Sequence, residues 1–354
     1  MAAVQQVTAA RSTPITGERP VSSVRFDLLY TALSFWFIAG AYLDGWAHFH
    51  GMVDNTFLTP WHAVLYSGFG AVAVLTLIAL VRGKMQGYAW SDALPVAYTP
   101  ALIGVGIFAV GGAFDFAWHN LFGFEAGIEA LYSPSHLLLA TGAFLYLTAP
   151  IRAAWQRRES VGWRDLLPAV LAMTWTFSLI TFFMQYTHWA GNPDEFINTW
   201  SVPDHISSSF LLYTLVIPAS MLIGIVMIAL RRWTLPVGAV TLMVTINVIM
   251  MTLMRWRLMQ GFLPILIAPI LGGVLADVLI WRFKPSAKNP TAMRWLAFSV
   301  PFVISLVYIL LVQVVMQNEG GLWWRIHMWL GAPVITGIIG LFLSFLAAPP
   351  ALPE

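Results

Sequence analysis

The chain has no cysteine. Disulfides, thiolate metal sites, iron–sulfur clusters and covalently attached c-type haem are therefore excluded. Charge is scarce: Asp, Glu, Lys and Arg make up 10% of the 354 residues, and the net charge is +2. No nucleic-acid partner is expected. The first residues are polar and carry no apolar h-region, so no cleaved signal peptide is expected, and 1–25 reads as a disordered cytoplasmic tail.

Apolar residues take the place of the missing charge. The chain is 59% hydrophobic with 17 Trp, and its mean hydropathy is +0.76. A soluble domain of this length has too small a core to hide so much apolar surface. Stretches of about 20 apolar residues, the length that crosses a bilayer, recur throughout. The expected fold is all-α, a polytopic integral membrane protein with ten transmembrane helices built from repeated hairpins. The predicted helices run over 27–49, 61–81, 93–119, 134–155, 165–189, 204–230, 235–255, 261–282, 293–316 and 324–347. Residues 26–232 then hold three His-bearing hairpins, and 233–354 hold four further helices read as degenerate copies.

Basic residues supply the orientation. The tail and the even-to-odd turns hold 15 Lys and Arg, and only Arg255, Arg257 and Arg325 fall on the other side. This positive-inside bias predicts cytoplasmic termini in a plasma-membrane protein. The surroundings expected for it are the lipid bilayer and other membrane proteins in complex with it. All eight histidines then lie at the extracytoplasmic ends.

Six of those histidines are spaced as a repeat. Asp44-Gly-Trp-Ala-His48 precedes Thr59-Pro-Trp-His62, and Asp115-Phe-Ala-Trp-His119 precedes Ser133-Pro-Ser-His136. A third copy carries His188 and then Val202-Pro-Asp-His205. The first histidines stand 71 and 69 residues apart, and the second ones 74 and 69. An Asp four residues before a His shares its helix face, one turn away. Pro60, Pro134 and Pro203 suit the first helical position, where a missing N–H costs nothing. The following His then sits in the first turn, where the helix dipole opposes an imidazolium and suits the neutral, ligating ring. A carboxylate inside a membrane marks a functional site by default.

The expected metal ligands are Asp44, His48, His62, Asp115, His119, His136, His188 and His205, with Asp194 and Asp204 as further carboxylates for the third copy. The competing reading is that His–Asp pairs near an interface are structural. His50, His327, Glu125 and Glu129 are peripheral candidates. Met243, Asn247, Met250, Met251 and Met254 line one face of the seventh helix, as core packing or as soft donors for Cu(I). Asp277 lies close to Arg282, either as a local ion pair or as a proton relay.

The pattern Asp44-x3-His48-x13-His62 resembles the Asp, His, His metal motif of the particulate methane and ammonia monooxygenases, which also lies on neighbouring membrane helices. The likeness is confined to 44–62 and its counterpart 115–136. It implies a copper-type site on Asp44, His48 and His62. Copper is thus the expected ion, for redox chemistry or metal handling. Zinc and non-haem iron suit the same donors. Two other classes stay open: a b-type haem or quinone protein with His pairs as axial ligands, and a zinc-dependent intramembrane lipid hydrolase.

Overall fold

Prolines and small polar caps decide where these helices begin. In a computed structural model, Ser23 accepts from Phe26 N and starts α1 (Val24–Phe49). Thr59 accepts from His62 N and, with Pro60 behind it, starts α2 (Pro60–Met85). Ser133 and Pro134 repeat that device at His136. Each hydroxyl takes a backbone donor that the first helical turn leaves over.

The structure describes residues 19–52, 56–124, 127–157, 160–191, 205–319, 321–322 and 324–350. After the first pair come α3 (Thr99–Phe122), the short α4 (Glu129–Tyr132), α5 (Pro134–Leu147), α6 (Ala149–Gln156) and α7 (Gly162–Phe183). The second half holds α8 (His205–Leu230), α9 (Ala239–Met254), the short α10 (Trp256–Met259), α11 (Ile267–Phe283), α12 (Pro290–Val315) and α13 (Ile326–Ala347). Among the described residues the chain is all-helical, and nine helices are long and apolar enough to cross a membrane. The seventh predicted segment, 235–255, is the shorter apolar helix Ala239–Met254.

The main departures lie at helix ends. The fourth predicted segment breaks at Thr148, just before Pro150, into α5 and α6. The fifth ends at Phe183 rather than beyond His188, which follows a 3-10 turn over Gln185–Thr187. Residues 1–18 of the expected tail lie outside the described residues, while Arg19 already pairs with Asp92 at 2.8 Å.

α1 packs along α2 and α3 along α5, and both pairs close on glycine. A Cβ on Gly68 would lie 2.5 Å from Phe37 N, and one on Gly142 would lie 2.7 Å from Phe108 N. Phe37 and Phe108 are 71 residues apart and the two glycines 74, the same offsets as the histidines. The reciprocal contacts follow suit: Gly40 meets Leu65, and Gly111 meets Leu139. The two hairpins are thus packed by matched residues. α8 instead lies mainly on α13 and α12, with light contact to α7.

At the end away from the histidines, Asp27 is fully buried, accepting from Arg157 Nη1 at 2.5 Å and Tyr98 Oη at 2.7 Å. Asp277 serves as a helix cap. It accepts from Val240 N, Thr241 N and Thr241 Oγ1 at 3.1, 2.9 and 2.6 Å, which satisfies the start of α9. In the methionine stripe, Met243, Met251 and Met254 are core residues.

Candidate metal centre

The second hairpin brings three of the expected ligands onto one point. Asp115 and His119 sit one turn apart on α3, and His136 enters from the first turn of α5. Asp115 Oδ1 lies 3.5 Å from His119 Nε2 and 3.3 Å from His136 Nε2. One donor atom from each of the three residues fits within a 4.8 Å cluster, and Asp115 and His119 are buried.

The far side of each ring is held by backbone. His119 Nδ1 donates to Gly123 O at 3.2 Å, and His136 Nδ1 donates to Ala130 O. The first of these needs glycine. Gly123 has φ 84 and ψ −178, a conformation essentially restricted to glycine, and it turns the chain so that its carbonyl meets the ring. Phe124 then stacks on His119 at 4.5 Å. With the proton on Nδ1, the neutral ring presents a lone pair at Nε2, aimed at the carboxylate. Asp115 Oδ1 is buried and has no hydrogen-bond partner among the described residues. Acceptors converging in this way are satisfied together by a cation.

The first hairpin also pairs its Asp with its second His. His62 Nε2 lies 3.2 Å from Asp44 Oδ1, and His62 Nδ1 donates to Phe57 O at 2.7 Å. Asp44, His48, His62, Asp115, His119 and His136 all line one cavity of about 190 Å³. Tyr66 stands between the two sets and donates to Asp115 Oδ2 at 3.5 Å. It leaves Oδ1 as the oxygen that faces the histidines. Gly112 makes room for that ring, since a Cβ there would lie 3.1 Å from Tyr66 Cε1.

Among the described residues, the remaining candidates do not line this cavity. His188 is buried, with Nε2 donating to Asn247 Oδ1 at 2.8 Å and Nδ1 accepting from Ala190 N at 3.0 Å. Asn247 in turn donates to Ser178 Oγ and Thr181 Oγ1 at 3.3 and 2.8 Å. Burial pushes the His188 imidazole down to about 4, so the ring is neutral at ordinary pH. Asp194, Asp204, Glu125 and the His205 side chain lie outside the described residues. His50 stacks on Trp46, Glu129 accepts from Gly127 N in its own loop, and His327 is exposed.

The amide of Asn247 ties three groups together across α7, α9 and the segment after α7. Asn247→Leu should therefore destabilise the protein by about 2–4 kcal/mol, because the partners are left buried and unsatisfied. The same network gives a pH signature. The folded His188 resists protonation while the unfolded one titrates normally, so stability is full above about pH 6.5 and falls as pH drops toward 4. Unfolding followed between pH 7 and pH 4 checks both points. A flat pH response in wild type, or a neutral Asn247→Leu, would contradict this account.

Sequence reasoning passed over Tyr66 and Arg255. Tyr66 had a signal, since it follows His62 by four residues and shares its face. Arg255 had none beyond its rarity on that side. It is buried over the rings of Phe49 and Tyr186 at 4.2 and 5.2 Å, and both aromatics line the cavity.

No protein-family model, no curated protein and no solved structure matches this chain.

Proposed function

We propose that this chain is a polytopic membrane protein whose first two hairpins hold a His/Asp metal centre in the outer part of the bilayer. The observation that carries the reading is the convergence of His119 Nε2 and His136 Nε2 on the buried Asp115 Oδ1, with both Nδ1 atoms anchored to backbone carbonyls. Imidazole ligands are oriented in this way in metal sites generally. Asp44, His48 and His62 supply a second set of donors in the same cavity.

Copper is the ion we assign. Two imidazoles and a carboxylate without sulfur suit it, and the likeness of 44–62 to the monooxygenase motif points the same way. The centre would serve redox chemistry or metal handling. Three protein ligands facing a cavity also describe a catalytic zinc site, which is the second reading. A haem is disfavoured, because a carboxylate oxygen 3.3 and 3.5 Å from the two Nε2 atoms stands where the porphyrin plane would lie.

The membrane reading is supported by the outward faces of the helices. Val110, Leu121, Ile228, Trp281, Phe342 and Leu346 are each more than half exposed. Apolar side chains at this density find a solvent in lipid.

Metal analysis with absorption and electron paramagnetic resonance, on protein purified from native membranes, tests the ion. The expected result is copper with a weak d–d band or a Cu(II) signal. A Soret band identifies haem, and a colourless zinc protein identifies the second reading. Orientation has its own test, made clean by the lack of native cysteine. Leu58→Cys should react with an impermeant reagent from outside intact cells and Lys84→Cys should not. The opposite labelling would overturn the outer-face assignment.

A further inference from the structure

The metal set accounts for one end of the cavity and leaves the rest unexplained. Phe37 precedes His48 by 11 residues on α1, and Phe108 precedes His119 by 11 on α3. At a rise of 1.5 Å per residue, the cavity descends roughly 16 Å below His48 and His119, and roughly 10 Å below Asp44 and Asp115, which follow the two phenylalanines by seven residues. Its deep walls are Phe37, Leu65, Phe108, Leu139, Ala143 and Leu179, without a charged group.

The floor is closed by aromatic packing. Phe37 meets Phe108 and Tyr146 edge to face, each at 5.4 Å, and Phe69 stacks on Phe108 at 4.3 Å. An ion moving toward the other side would have to shed its water against these rings with nothing to replace it. The shape therefore suits a bound molecule better than a conduction route. An engineered apolar cavity of about 150 Å³ admits benzene. This one, at about 190 Å³, is somewhat larger.

We infer that the cavity is a substrate chamber for a small amphipathic molecule. A polar end able to ligate metal would lie at Asp115, His119 and His136. An apolar body of roughly six to eight carbon atoms would lie over the Phe37–Phe108 pair, against Leu65, Leu139 and Leu179. The inference rests on the metal reading and deepens it by naming the class of ligand. Tyr66 gives such a molecule a hydroxyl near its polar end. Ala140, one turn after His136 as Tyr66 is one turn after His62, leaves the space on the opposite wall.

The test is a chain-length series. Straight-chain alkyl hydroxamic acids of two to twelve carbons are titrated into the metal-loaded full chain in lipid nanodiscs, with empty nanodiscs subtracted. Affinity is expected to rise about fourfold per added methylene, the gain for burying one such group, and to stop rising at six to eight carbons. Ala143→Leu should move the break to shorter acids, and Leu139→Ala should move it to longer ones. Either shift sustains the chamber even if the other variant fails to fold.

An affinity indifferent to chain length overturns the proposal. So does a rise that continues past ten carbons as it does in bare lipid. The two-carbon acid separates this failure from failure of the metal centre, because its binding should require metal and no tail. If it binds only the loaded protein while longer acids gain nothing, the centre stands and the chamber falls. If it binds loaded and metal-free protein alike, the metal reading fails first.

Discussion

Asp115→Ala is expected to lower the metal bound per chain by one equivalent while raising the stability of the metal-free protein. The two effects have one cause. Asp115 Oδ1 is buried without a hydrogen-bond partner among the described residues and faces the Nε2 edges of two imidazoles. Without a cation, that oxygen is a desolvated acceptor among acceptors, a cost of about 1–3 kcal/mol or more for a charged group. With a cation, it becomes the anionic ligand. Losing it should cost more than the roughly 10–100-fold that loss of an outer hydrogen-bond partner costs a metal site.

If His119 and His136 were merely salt-bridged to Asp115, the sign on stability would reverse. Breaking a buried ion pair by removing one partner destabilises by about 3–5 kcal/mol. Metal content by mass spectrometry and unfolding with and without chelator separate the two cases. Chelator should lower the unfolding temperature of wild type by more than that of Asp115→Ala. A destabilised variant that still carries its full metal would sink the assignment.

The second large effect is expected from a residue that touches no ligand. A Cβ on Gly142 would stand 2.7 Å from both Gly104 O and Phe108 N, which are backbone atoms and cannot swing aside. Gly142→Ala should therefore force α5 away from α3, at about 1–3 kcal/mol for overpacking. His136 travels with α5, so metal affinity should fall as well. Gly106 on α3 is the control, since nothing lies within 4 Å of its Cβ position. There the same exchange should be neutral or stabilise by up to about 1 kcal/mol, the helix propensity of Ala over Gly. Equal behaviour of the two variants, in unfolding and in metal titration, would show that the close approach does not position the centre.

Much of this arrangement was legible in the sequence because it is local. Pro60 and Pro134, each behind a capping hydroxyl, announce a helix start with its second His in the first turn. The i,i+4 spacing puts Asp115 on the face of His119 without reference to the rest of the fold. Length and hydropathy mark the long helices for the same reason. What could not be read depends on partners distant in sequence. Asp277 finds the start of α9 rather than the neighbouring Arg282 as its principal partner, because three donors converge there. His188 looks like a third copy by spacing. However, α7 stops at Phe183, and the ring turns inward to Asn247, 59 residues away. The third hairpin parts because α8 finds its main surface on α13 and α12, which no periodicity announces.

The matched glycine contacts also bear on the order in which the molecule is made. Asp115, His119 and His136 lie within a single stretch of chain, and the contacts that close it, Gly142 on Phe108 and Gly111 on Leu139, lie within the same stretch. Contacts of short sequence separation carry a small loop-closure cost and form early. A nascent chain that has inserted only as far as α5 already holds Asp115, His119 and His136, the proposed ligand set. Loading would then precede completion of the protein, and α7 with the turn after it would add Leu179, Phe182 and Tyr186 to the wall of a cavity whose ligands had already met.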